Sequence, residues 1–228
     1  MLEEHSISSL ALRGTRRVWV RRSVGDETRR CCIFLDGELY LERVKASEVI
    51  DGSCFPSITC VYLSYGDATE RHIDFTCNLD FSDFLISELL PSVEDLAGPH
   101  LETFLCGLSL SGLAAAYTVL SKPGRFSGAL CQSPSAWWRD EWLAENCGSM
   151  GESRLWISVG TEEVQENVAH GPSDLFQKVS QIESCRRLAD ALRNGGSRVA
   201  FNVFEGGHDP ACWATELPSG LRWLLSQA

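Results

Sequence analysis

The sequence predicts a single α/β domain, with a mostly parallel central sheet and helices on both faces. Three observations lead there. Six short apolar runs alternate with longer segments of helical spacing, as strands and helices do in such domains. The chain of 228 residues, 44% hydrophobic and 22% charged, is long enough for one well-buried core. No internal repeat, low-complexity tract or linker divides it, so residues 1–228 read as one domain, with roughly the first 15 as a disordered N-terminal segment.

Strands are expected in CCIFLDG (31–37), SITCVYLSYG (57–66), LETFLCG (101–107), FSGALCQS (126–133), RLWISVG (154–160) and RVAFNVFEGG (198–207). These runs are nearly continuous in apolar residues, as strands covered on both faces are. Helical periodicity is clearest from Ser173 to Asn194, where Leu175, Phe176, Val179, Ile182, Cys185, Leu188, Ala189 and Leu192 share a face. Ser173 reads as its N-cap and Gly195 with Gly196 as its stop. Phe81–Leu90 and Trp213–Leu225 read as further helices. Seven arginines fall between Arg13 and Arg30, and the alternation in RRVWVRR (16–22) suits a charged edge strand.

Composition excludes several functions. A formal net charge of −11 argues against a general nucleic-acid surface. The N-terminus lacks the pattern of a signal peptide, and no stretch reaches the roughly 18 apolar residues of a membrane helix, so a cytoplasmic, soluble protein is expected. Ten cysteines are scattered without zinc-ligand spacing. They read as buried thiols in a reducing compartment, and no metal or organic cofactor is expected.

The chemistry begins at CGLSLSG (106–112), between an apolar run and the helix-forming LAAAYTVL. Strand, glycine-bounded serine and helix are the context of a nucleophile elbow, the motif of the α/β-hydrolase fold. The strand and helix approach closely there, so the positions two before and two after the nucleophile must be small. Centred on Ser109, those positions hold Gly107 and Ser111. Centred on Ser111 they would hold Ser109 and the bulky Leu113. Ser109 is therefore the nucleophile, with serine where the pattern usually has its second glycine.

A serine hydroxyl needs a base, and the base an orienting carboxylate. His208, in FEGGHDPACW after the last strand, stands where the fold's order of serine, acid and histidine places the base. His5, His72 and His100 lie outside that order. His170, in a loop, is a candidate for lining the pocket. The acid should follow RLWISVG, which leads into Glu162 and Glu163; Glu163 is preferred, and Asp209 is too close to His208 in sequence. Two N–H donors must face the oxyanion. The fold supplies one after the nucleophile, at Leu110, and one after an early strand, where Asp36, Gly37 and Glu38 stand and Gly37 is preferred.

RRVWV (16–20), LDGELY (35–40), CNLDFSDFLISELLP (77–91), CGLSLSG, CQSPSAWW (131–138) and GGHDPACW (206–213) together resemble the enterochelin (ferric enterobactin) esterase-like branch of an esterase family in the α/β-hydrolase superfamily. The resemblance runs from about residue 15 to the C-terminus, and the GGHD…CW ending is its most specific piece. It implies a serine esterase, with Ser109 as nucleophile and His208 as base. In siderophore members the substrate is a trilactone of dihydroxybenzoyl-serine. The carboxylate is less regular in this family, some members being dyads. Larger siderophore esterases carry a further N-terminal domain ahead of the RRVWV position, whereas 15 residues precede it here. Arg71 aligns with a family arginine near the site. Trp137, Trp138 and Arg139 follow the strand after the elbow, where an aromatic wall with a guanidinium would hold a catechol ring or an anion.

The expected function is hydrolysis of carboxylic esters of small molecules, with catechol siderophore esters as the leading substrates. The acidic balance suits an iron-free aryl ester better than a trianionic ferric complex. Competing readings are a general carboxylesterase, feruloyl-type esterase or thioesterase, and a non-catalytic binding protein of the same fold. The partner is a small-molecule ester, with no nucleic acid and no membrane; a homo-oligomer is compatible with the sequence.

Overall fold

The computed structural model describes residues 1–23, 30–53, 55, 57–171 and 174–226. An eight-stranded sheet forms its centre. The strand order is β1 (Leu2–Ser9), β2 (Gly14–Arg21), β4 (Thr59–Leu63), β3 (Arg30–Leu35), β5 (Glu102–Leu108), β6 (Gly128–Gln132), β7 (Arg154–Gly160) and β10 (Arg198–Phe204). The sheet is parallel from β4 to β10, while β1 and β2 join it antiparallel. Two-residue strands β8 (Val168–Ala169) and β9 (Phe176–Gln177) pair in a separate hairpin.

Each of the six predicted strands is present, and their side chains alternate between two cores. In β3, Cys31, Ile33 and Leu35 face one side, and Cys32 and Phe34 the other. The first side is covered by α3 (Ala68–Phe75), α4 (Leu79–Phe84), α5 (Leu90–Ala97), α6 (Leu110–Ser121), α7 (Trp138–Asn146) and α8 (Gln181–Asn194). The other is covered by α1 (Gly37–Glu42), α2 (Ala46–Asp51) and α9 (Pro210–Leu225). Each fully buried large apolar side chain contributes roughly 1.5–3 kcal/mol. A one-residue slip would exchange the two faces of every strand, so packing fixes the register.

Three expectations are corrected. Leu2–Ser9 is a strand rather than a disordered segment, paired along its length with β2. RRVWVRR is a strand, but an inner one: β1 is the edge, and Val18 and Val20 are fully buried. Arg16 is tolerated inside because its guanidinium bonds Asp74 at 2.9 Å and Glu70 at 3.1 Å. The helix expected from Ser173 begins at Gln181, capped by Ser180, whose hydroxyl accepts from the Glu183 amide. Ser173 lies outside the described residues, and Phe176 belongs to β9. Gly195 ends the helix as expected. Phe81–Leu90 is helical, with a π turn at Leu85–Leu89 joining α4 to α5.

The described cysteines are free, and most are buried. Burial pushes the Cys60 and Cys77 thiols up to about 12, away from the reactive thiolate form. Among the described residues no helix is long and apolar enough to cross a membrane.

Candidate active site

The site occupies the carboxyl ends of the parallel strands, where open α/β sheets place their ligands. Ser109 follows β5 and caps α6 with φ 53° and ψ −122°, a left-handed conformation that a non-glycine residue adopts only where its surroundings impose it. Those surroundings are explicit. Its amide donates to the Gln132 carbonyl at 2.9 Å, and its carbonyl accepts from the amides of Ser135 at 2.9 Å and Leu113 at 3.2 Å. Gly107 is required for this turn, because a β-carbon there would collide with the Ser111 carbonyl. Ser111 is fully buried, and its hydroxyl bridges the Leu108 amide and carbonyl at 3.0 and 2.8 Å. It ties the first turn of α6 to the end of β5 and does not face the pocket.

His208 sits between β10 and α9. Its Nε2 lies 3.0 Å from Ser109 Oγ and its Nδ1 2.7 Å from Glu163 Oε2. Glu163 lies just past β7 and is 7% exposed. Its Oε1 accepts from the Gly160 amide at 2.8 Å and from Ser133 Oγ at 2.5 Å. One carboxylate oxygen is thus saturated by fixed donors while the other meets the imidazole, the arrangement that sets a histidine's tautomer. Asp209 is occupied elsewhere, accepting from the Ala211 amide at 2.8 Å as the cap of α9. Glu162 is exposed at the pocket edge, with no bond to His208.

Leu110 is the first residue of α6 and lines the pocket, so its amide belongs to the helix's unsatisfied, positive end. Gly37 opens α1 beyond β3, which neighbours β5, so Asp36–Gly37 and Ser109 leave the sheet at the same edge. Gly37 itself is buried, and a β-carbon there would lie 2.8–2.9 Å from the Tyr62 and Leu63 backbone. Asp36, at φ 61°, is fully buried and gripped in two-pronged fashion by Arg71, Nε to Oδ1 at 2.6 Å and Nη2 to Oδ2 at 2.7 Å. Arg71 lines the pocket, but its charge is answered by Asp36.

A cavity of ≈ 450 Å³ opens above Ser109. One wall is Trp137, stacked on His170 with centroids 4.8 Å apart and planes 2° from parallel. Trp137 Nε1 donates to Gln181 Oε1 at 2.5 Å, and Gln181 Nε2 reaches the Ser133 and Pro134 carbonyls at 2.6 Å. His170 lies in the β8–β9 hairpin with its Nε2 3.2 Å from Gln177 Oε1.

The chain matches the family model described as "Putative esterase" over residues 16–224. It belongs to this esterase family. Within the family it falls in the enterochelin esterase-like branch. The chain is 30% identical to the iron(III) enterobactin esterase of Dickeya dadantii (strain 3937) and 30% identical to that of Escherichia coli (strain K12). Each alignment covers 92% of this chain, but 52% of the former relative and 54% of the latter, so the chain spans about half their length. The enterobactin esterase of Shigella flexneri, crystallised with enterobactin, superposes with a TM-score of 0.83 at 27% identity, over 98% of this chain and 59% of that one. The BES protein of Bacillus cereus shares the fold at 18% identity, with a TM-score of 0.79 over 99% of this chain and 96% of that one.

Two of the expected substrate residues lie elsewhere. Trp138 and Arg139 border an adjoining cleft, not the cavity above Ser109. Trp138 is 7% exposed within the core, and Arg139 stacks over its ring at 4.7 Å. The reason is the turn after β6: Trp137 and Trp138 are consecutive, so one faces the cavity while the other, the first residue of α7, is buried with its ring edge-on to Trp142. Trp137 takes the wall position, joined by His170. Sequence reasoning missed Ser133 and Gln181; Ser133 lies within CQSPSAWW, one of the motifs carrying the resemblance, but nothing in its spacing indicated a contact with Glu163.

Proposed function

We propose that this chain is a serine carboxylic-ester hydrolase. The observation carrying this reading is the continuous hydrogen-bonded path from Ser109 Oγ through His208 to Glu163. His208, holding its proton on Nδ1 toward Glu163, accepts the Ser109 proton at Nε2 as Oγ attacks the ester carbonyl. The tetrahedral oxyanion is met by the amide of Leu110, at the N-terminus of α6, and by that of Gly37. Imidazolium then returns its proton to the leaving alcohol, and a water activated by His208 releases the acyl group from Ser109. Glu163 stays ionised throughout and stabilises the imidazolium.

The substrate class follows from the cavity and the relatives. The Trp137–His170 stack offers an aromatic surface beside the nucleophile, and the relatives named above are enterobactin esterases. Catechol-bearing siderophore esters fit both. Arg71 is neutralised by Asp36, and the chain carries −11 overall. The iron-free ester is therefore the better substrate, with any iron arriving as cargo of the substrate. The test compares the purified chain on ferric enterobactin, iron-free enterobactin and a short aryl ester. Faster release of dihydroxybenzoyl-serine from the iron-free trilactone is expected. Aryl ester turnover with neither trilactone cleaved would contradict the siderophore assignment and leave a general esterase.

A further inference from the structure

CQSPSAWW and GGHDPACW each hold a buried polar residue that the catalytic steps above leave unused. Ser133 Oγ, besides donating to Glu163 Oε1, receives the indole N–H of Trp213 at 3.1 Å. An indole nitrogen only donates and an ionised carboxylate only accepts. The serine hydroxyl between them therefore has one permitted orientation, with its lone pair toward Trp213 and its proton toward Glu163. Ser133 is fully buried and Trp213 is 3% exposed, so water does not compete for either contact.

The pair is fixed from behind. Ser133 is held at φ 43° by its amide, which donates to the Ser158 carbonyl at 2.7 Å, and by its carbonyl, which accepts from Gln181 Nε2 at 2.6 Å. The Trp213 carbonyl accepts from Gln132 Nε2 at 2.9 Å, and Gln132 Nε2 also donates to Glu216 Oε2 at 2.6 Å. Glu216, 5% exposed, takes the Trp156 indole N–H on its other oxygen at 2.5 Å. The Trp213 ring meets the His208 imidazole edge-on, with centroids 4.8 Å apart and planes at 82°. One side chain thus touches the base directly and reaches the acid through Ser133.

We infer that Ser133 and Trp213 are positioning residues for the triad: they hold Glu163 so that Oε2 meets His208 Nδ1 and the imidazole keeps Nε2 free for Ser109. This rests on the serine-hydrolase reading above. Hydrogen bonds to a buried charge are the strong kind, so their loss should be visible in turnover. Neither residue faces the cavity, so substrate affinity should not change.

The test is steady-state hydrolysis of an aryl ester by Ser133→Gly, Trp213→Phe, Glu163→Gln and the double variant Ser133→Gly/Glu163→Gln. Glycine suits the positive φ of residue 133 while deleting the hydroxyl. Phenylalanine keeps a ring beside His208 while deleting the N–H. Ser133→Gly should lower kcat about 10- to 100-fold with KM changed less than about twofold, and Trp213→Phe should lower kcat about 3- to 10-fold. On the Glu163→Gln background, Ser133→Gly should cost less than about a further twofold, because its effect runs through the carboxylate. A Ser133→Gly loss that persists in full on that background, or kcat near the parent in both single variants, would overturn the inference. Should Ser133→Gly fail to fold, Trp213→Phe decides alone by the same kcat criterion. The underlying reading is tested separately: hydrolysis surviving Ser109→Ala overturns the triad, whereas an inactive Ser109→Ala beside an unimpaired Ser133→Gly and Trp213→Phe overturns the positioning role only.

Discussion

The triad and the cavity wall above it are built from different materials. Ser109, Glu163 and His208 stand directly after β5, β7 and β10, neighbours or near neighbours in a parallel sheet buried on both faces. Each is fixed by short hydrogen bonds to backbone or buried side chains. The wall is carried by the turn that holds Trp137 and by a hairpin with two residues in each strand, bearing the exposed Phe176. On the proposed reading, reaction chemistry rests on the hydrogen-bonded part of the site, and substrate choice on a part that can vary without disturbing it.

The sharpest way to break this comparison is at the triad. His208→Ala should lower kcat for any ester by about 10⁴-fold or more, as removing a triad base does elsewhere. Glu163→Gln should cost about 10³- to 10⁴-fold, measured by steady-state kinetics on an aryl ester. A Glu163→Gln loss below tenfold would make the working unit a Ser109–His208 dyad.

Arg71 stands where the two regions meet. Arg71→Lys keeps a charge but loses the two-pronged hold on Asp36, so the turn bearing Gly37 should loosen and kcat fall by about 10- to 100-fold. A rise in KM alone would instead make Arg71 a substrate contact. Within the wall, Trp137→Ala or His170→Ala should raise KM for a catechol ester by about 3- to 10-fold, while leaving turnover of a short acetyl ester within about twofold. Equal effects on both esters would dissolve the distinction between the regions. The smallest effect belongs to Ser111→Ala: its bonds tie α6 to β5 but miss the cavity, so hydrolysis should stay within about threefold of the parent and thermal stability should drop slightly.

Much of the hydrogen-bonded part was legible in the sequence because local stereochemistry dictates it. The close approach of strand and helix at Gly107 excludes large residues, which distinguishes Ser109 from Ser111 without tertiary information. Glu163 and His208 follow strands recognisable by their apolar runs. The wall was legible only in part: Trp137 and His170 stood out as candidates for lining the pocket, but they are far apart in sequence and meet by direct ring stacking, a contact no periodicity encodes. Leu175, Phe176 and Val179 happen to continue the spacing of α8 backward, which disguised β9 as helix. At the N-terminus, Ile7 is the one large apolar side chain that β1 buries, so its pairing with β2 left almost no pattern to read.

The claim that Ser109 is the nucleophile of an intact charge-relay site is tested most directly by fluorophosphonate labelling of the folded chain, followed by mass spectrometry. The account predicts one adduct on Ser109, absent in Ser109→Ala and retained in Ser111→Ala. An adduct that persists in Ser109→Ala, or no adduct on the folded parent, would contradict it.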